Sequence, residues 1–88
     1  MGNKNSNVKM IMQELDYGDI NVKLDNLMNK RNISTYELST KSNVRFQTVQ
    51  ALRENKSTRI DLNVLAKLCF ALGCNVEDII EYQEKKHK

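Results

Sequence analysis

From residue 20 onward the apolar positions recur at helical spacing, and polar clusters cut them into short segments. Ile20, Leu24, Leu27 and Met28 stand at i, i+4, i+7 and i+8, which predicts a first helix over 22–31. Lys30 and Arg31 in its last turn suit the negative end of the helix dipole, and Asn32 is its expected stop. Ile33 is set to staple it to a second helix. That helix starts after Ser34, with Glu37 three residues on completing a capping box. Leu38 and Ser39 should face inward. Asn43 tolerates the left-handed backbone of a sharp turn, and Val44 should plug the core. A third helix is expected from about Phe46, burying Val49 and Leu52, with Asn55 closing it.

A fourth helix is predicted over 62–72, capped by Asp61 and ended by Gly73. Leu62, Leu65, Leu68, Cys69 and Leu72 form its broad apolar face, and Ala66 and Ala71 allow close approach. A short fifth helix should follow Asn75, turning Val76, Ile79 and Ile80 to the core, with Glu77 and Asp78 at its positive end. Tyr82 either finishes the core or meets a second subunit.

The flanks are less regular. Residues 1–7 are polar. In 8–15, Val8, Met10 and Met12 alternate like a strand, while Ile11 and Leu15 are spaced like a helix face. Tyr17-Gly18-Asp19 is a turn signal, so a β-hairpin or an extended arm through Ile20-Asn21-Val22 is open. This arm reads either as a tail over the core or as a dimerisation strand or basic arm using Lys4 and Lys9. The division is thus an N-terminal arm at 1–19, a domain at 20–82 and a charged tail at 83–88.

Eighty-eight residues make one domain with one small core. The absence of proline, with only three glycines, suits a helical bundle. A net charge of +3 favours an anionic partner without identifying it. Cys69 and Cys74 are too few for a disulfide framework or a zinc site, so no metal or cofactor is expected, and Cys69 reads as a core residue of a reducing compartment. Without a signal peptide or an 18-residue apolar run, the expectation is a soluble cytoplasmic protein with no membrane partner. Catalytic apparatus is lacking too. His87 sits in the tail, neither cysteine has a base beside it, and no glycine-rich phosphate loop is present, so an enzyme is not expected.

The informative pattern is 34–53. A small residue, Ser39, lies four before the turn residue Asn43, and the β-branched Val49 lies six after it. That is the spacing of a DNA-binding helix-turn-helix. The third helix would expose Gln47, Gln50 and Arg53, with Arg45 at its start. Gln47, Thr48 and Gln50 are candidates to contact bases, glutamine being able to bind adenine through two bonds, and Arg45 and Arg53 to bind guanine or phosphate. Thr35, Tyr36, Lys41, Lys56, Ser57, Thr58 and Arg59 are the candidates for the DNA backbone. An ordinary helical hairpin with a solvated loop is the plain alternative.

From Ile20 to Tyr82 the chain resembles the Cro/C1-type, lambda-repressor-like helix-turn-helix family, and in particular its small single-domain regulators. The likeness rests on Leu24–Met28, Ile33–Ser39, Asn43–Val49 and Leu62–Ile80, where an apolar helix ending in Leu72-Gly73 precedes a short capped segment. It implies an all-α, five-helix DNA-binding fold and a transcriptional regulator, most simply a repressor. Four positions depart from the family's habit. Ser39 stands for alanine, Asn43 for glycine, Arg45 for a serine or threonine cap, and Thr35 for a phosphate-contacting glutamine. A single module buries only about 600–1,000 Å² on DNA, so a homodimer on an inverted repeat of double-stranded DNA is expected. Ile79–Tyr82 and Val8–Leu15 are its candidate contacts. The rival reading is a protein-interaction module, such as an antitoxin or anti-regulator, holding a protein partner with the same fold. The outward set at 45–59, cationic with Glu54 as its one acid, favours DNA.

Overall fold

The computed structural model describes residues 16–85. The expectations for residues 1–15, including the Val8–Leu15 contact and Lys4 and Lys9, and those for 86–88 lie outside it. Among the described residues are four α-helices: α1 (Leu24–Arg31), α2 (Thr35–Ser42), α3 (Phe46–Arg53) and α4 (Leu62–Leu72). A 3-10 turn, Val76–Asp78, follows α4. Strand β1 (Asp19–Val22) pairs antiparallel with β2 (Ile80–Gln83), with Asp19 opposite Gln83 and Val22 opposite Ile80.

This architecture corrects the five-helix, all-α expectation at both ends of the domain. The fifth helix is replaced by the 3-10 turn and β2. Val76, Ile79 and Ile80 are β-branched, stiff at χ1 and at home on a pleated surface. Ile20 to Val22, expected as the start of the first helix or as half of a hairpin with the preceding arm, supplies the matching strand. On the two-residue period of paired strands, Ile20, Val22, Ile80 and Tyr82 share one face of the ribbon. Val22 and Ile80 pack on the core, while Ile20 and Tyr82 overhang it, exposed. Gly18 forms no turn. It lies against the end of β2, where a Cβ would fall 1.7 Å from the Gln83 carbonyl oxygen, and its N–H donates to the Tyr82 hydroxyl at 2.9 Å. The Lys23 N–H donates to the Ile79 carbonyl at 2.6 Å, and Lys23 Nζ pairs with Glu81 at 3.1 Å, tying the ribbon to the start of α1.

The helix ends follow one plan. Asn32, Asn43 and Asn55 carry φ near +60°, as does Gly73. Around Asn32, Asn55 and Gly73 the next N–H reaches back five residues. Ile33 donates to Met28, Lys56 to Ala51 and Cys74 to Cys69, each at 3.0 Å. The last of these closures sets Cys74 beside Cys69. Burial, reinforced by Cys69 and Asp78, pushes the Cys74 thiol up from its ordinary range. The Arg31 guanidinium donates to the Leu72 carbonyl, so α1 also caps the end of α4.

The core is Leu24, Met28, Leu38, Val44, Val49, Leu52, Leu65, Leu68, Leu72 and Ile79. Helix α2 packs on both α3 and α4, and α1 packs on α3. The breadth expected of the α4 face is corrected. Leu65, Leu68 and Leu72 are buried, but Leu62 is 77% exposed and Ala66 is exposed. Phe70 is 87% exposed, and Val76 also faces out. Helix α4 meets α2 and the 3-10 turn, and these cover one arc of it. No helix among the described residues is long and apolar enough to cross a membrane.

Candidate functional site

Helix α3 presents one side to the core and the other to solvent. Val49 and Leu52 anchor it, and Gln47 stands fully outward, with Gln50 and Ala51 half-buried on the same arc. Its approach is set by the turn at Asn43. Ser39 Oγ donates to the Val44 carbonyl at 2.6 Å, Ser42 Oγ donates to the Leu38 carbonyl at 2.7 Å, and the Val44 N–H donates to Ser42 Oγ at 3.3 Å. These bonds stitch the loop to α2 and fix the direction in which α3 leaves. They also explain why serine fits at 39: its hydroxyl has a carbonyl to meet.

The two helix starts differ. Ser34 caps α2 by accepting from the Glu37 N–H at 3.1 Å, while Glu37 Oε1 accepts from the Ser34 N–H at 2.9 Å. Those bonds hold the Glu37 carboxyl below its ordinary 4.5. At the start of α3, Arg45 occupies the capping position and gives no side-chain cap. It is exposed and has no ion-pair partner among the described residues.

At the other end of α3, Arg53 turns inward, its side chain 18% exposed. Its Nε donates to Asp25 Oδ1 at 2.7 Å, its Nη1 to Thr35 Oγ1 at 3.0 Å and its Nη2 to Asn29 Oδ1 at 3.0 Å. Asn29 in turn donates to Asp25 Oδ2 at 3.2 Å. Thr35, 6% exposed at the first position of α2, donates to Gln50 Oε1 at 2.8 Å, and Gln50 Nε2 donates to Glu54 Oε2 at 2.8 Å. Lys56 pairs with Glu54 at 3.3 Å. The Gln50 and Lys56 bonds hold the Glu54 carboxyl below its ordinary value.

Of the residues singled out as base readers, Arg45 and Gln47 stand free and exposed. Thr48 is half-buried on the flank of α3, and Gln50 and Arg53 are engaged within the fold. Of the candidates for the DNA backbone, Tyr36, Lys56, Thr58 and Arg59 are exposed, Ser57 is half-buried, and the Thr35 hydroxyl already has two partners. Lys41 lies apart from α3, in a shallow groove with Arg31, Ile33, Glu37, Ala71 and Leu72. Sequence reasoning gave Phe46 no role. It is half-exposed at the first turn of α3, and a helical wheel of 46–53 sets it at the edge of the outward arc. Asp25 and Asn29 were missed as well. Their i, i+4 spacing on α1 was legible, but not that Arg53 would reach them.

Comparison with known proteins bears on the same region. Residues 23–85 match the family described as the Cro/C1-type HTH DNA-binding domain. An uncharacterized HTH-type transcriptional regulator of Bacillus subtilis (strain 168), YozG, is 33% identical over 62 residues, which is 70% of this chain and 74% of that protein.

Proposed function

The chain belongs to the Cro/C1-type helix-turn-helix family of DNA-binding transcriptional regulators, and from that premise we propose that it is a sequence-specific repressor that lays α3 in the major groove. The observation that carries this reading is the free outward side of α3, where Gln47 and Arg45 stand exposed with no partner drawn from the fold. Gln47, Thr48 and, through the amide positions its internal bonds leave unused, Gln50 read base edges, Phe46 contacts a thymine methyl, and Arg45 grips guanine or phosphate. Tyr36, Lys56, Ser57, Thr58 and Arg59 hold the backbone on either side. Binding is dimeric, because one module of this size gives too little contact for tight specific binding. Ile79 is buried, so the exposed Ile20 and Tyr82 are the side chains of the ribbon left for a partner copy.

The test is selection from a random duplex library at near-physiological salt. Recovery of a short inverted repeat supports the reading. Gln47→Ala should then relax one position by about 1–3 kcal/mol, while Lys56→Ala weakens all sites alike. Binding that only tracks salt, with no motif, overturns it. A protein-interaction module would then be the better reading, and the exposed Leu62 and Phe70 of α4 are what favour it.

A further inference from the structure

We propose that Arg53 is a positioning residue: acting through Thr35, and together with Glu54 at the other end, it fixes the order in which the Gln50 carboxamide presents its oxygen and nitrogen to DNA. The inference rests on the DNA-binding reading above and names a determinant of its specificity. It follows from the direction of a hydrogen-bond chain. A guanidinium only donates, so Thr35 Oγ1 must accept from Arg53 Nη1 at 3.0 Å. The one hydroxyl proton of Thr35 is then free for Gln50, and it goes to Oε1 at 2.8 Å. The amide nitrogen therefore faces Glu54, at 2.8 Å from Oε2. Glu54, ionised at neutral pH, only accepts, so this end enforces the same order. Reversing the amide would set Gln50 Oε1 against the Glu54 carboxylate, two acceptors face to face, and would take from the Thr35 hydroxyl proton its acceptor. Arg53 is itself held by Asp25 and Asn29 on α1, so the direction originates in the scaffold.

Each end of the Gln50 amide keeps one unused site, a second lone pair on Oε1 and a second N–H on Nε2. These form an ordered acceptor–donor pair, oxygen on the Thr35 side and nitrogen on the Glu54 side. Adenine offers the complementary pair through N6–H and N7, and A·T and T·A present it in opposite order along the groove. A fixed amide favours one of the two; a freely flipping amide accepts both.

The experiment has two arms. Gln50→Ala first identifies the base pair that Gln50 reads in the selected operator. Thr35→Val, which keeps shape but removes the hydroxyl, should then lower discrimination between A·T and T·A at that base pair severalfold, and Thr35→Val with Glu54→Ala, which frees both ends of the amide, should lower it by about tenfold. Other positions should stay unchanged, and Thr35→Ser should restore the preference. Arg53→Lys, which retains a cation for Asp25 but lacks the fork, should behave as Thr35→Val does. Uniform loss across all positions, or an unchanged profile in Thr35→Val, overturns the inference. The second arm needs no DNA. In the free protein the Gln50 side-chain amide proton donated to Glu54 should be slow to exchange, and Thr35→Val and Arg53→Lys should speed its exchange while Thr35→Ser does not. Unaltered amide signals in both variants would overturn the proposal even if selection recovers no operator, and an absent operator by itself removes the DNA-binding reading and this inference with it.

Discussion

The two ends of α3 carry the same residue type and use it in opposite ways. Arg45 opens the helix without capping it and stands in solvent. Arg53 closes the helix and donates to three side chains from α1 and α2. Charge, length and donor geometry are shared, so the difference lies in the acceptors that the fold brings within reach. At the C-terminal end, α1 delivers a carboxylate and an amide, and α2 delivers a hydroxyl. At the N-terminal end, no acid stands in the first turn. An arginine on a recognition helix is thus a reader only where the scaffold leaves it unsatisfied.

That contrast can be broken from beneath. Leu52 anchors α3 in the core, and Leu52→Ala should cost about 2–5 kcal/mol in thermal or denaturant unfolding, loosening both ends of the helix together. Substituting the arginines separately sharpens it. Arg53→Met removes charge-assisted bonds and should destabilise the fold by about 1.5–3 kcal/mol. Arg45→Met should leave stability within about 0.5 kcal/mol. In binding the ranking reverses. Arg45→Met should weaken DNA association measured by titration, and where it contacts phosphate the salt slope should fall by about 1.

A smaller loss than that of Arg53→Met belongs to the capped start of α2. Ser34→Ala should cost about 1 kcal/mol at neutral pH. Because the folded Glu37 carboxyl lies below its ordinary value, its share of the capping box is present above that value and is lost as pH falls through the lowered one. The stability difference between Glu37→Ala and the parent protein should therefore shrink as pH falls through that lowered value, and equal differences at pH 7 and pH 3 would contradict the assignment.

The helix-turn-helix was legible because its signals are local. Ser34 with Glu37, Asn43 in the turn, and Val49 with Leu52 each declare themselves within a few residues, and each stands as expected. So do the left-handed closures at Asn32, Asn55 and Gly73. Strand β1 was legible only as one of two readings, because Ile20-Asn21-Val22 fits a helical stripe as well as a strand, and only a partner about sixty residues away decides between them. The same holds for Ile79 and Ile80, whose β-branched character competed with a capped-helix signature at Asn75. Leu62 and Phe70 show the converse limit: apolarity marks what a residue tolerates, and the number of neighbours decides whether it is covered. The engagement of Arg53 and Gln50 depended on α1 lying beside α3, which no spacing within α3 reveals.

The ribbon has a consequence for the order of folding. Gly18 and Tyr82, which meet across its end, are 64 residues apart, whereas the helices close through bonds of five residues or fewer. Joining such distant segments carries a loop-closure entropy that is met only after the intervening helices have docked and brought the strands together. With four residues in each strand and Ile20 and Tyr82 overhanging in solvent, the ribbon is thinly buried. It behaves as a late-closing zipper: last to assemble and first to exchange its amide hydrogens, while the helix-turn-helix inside stays protected.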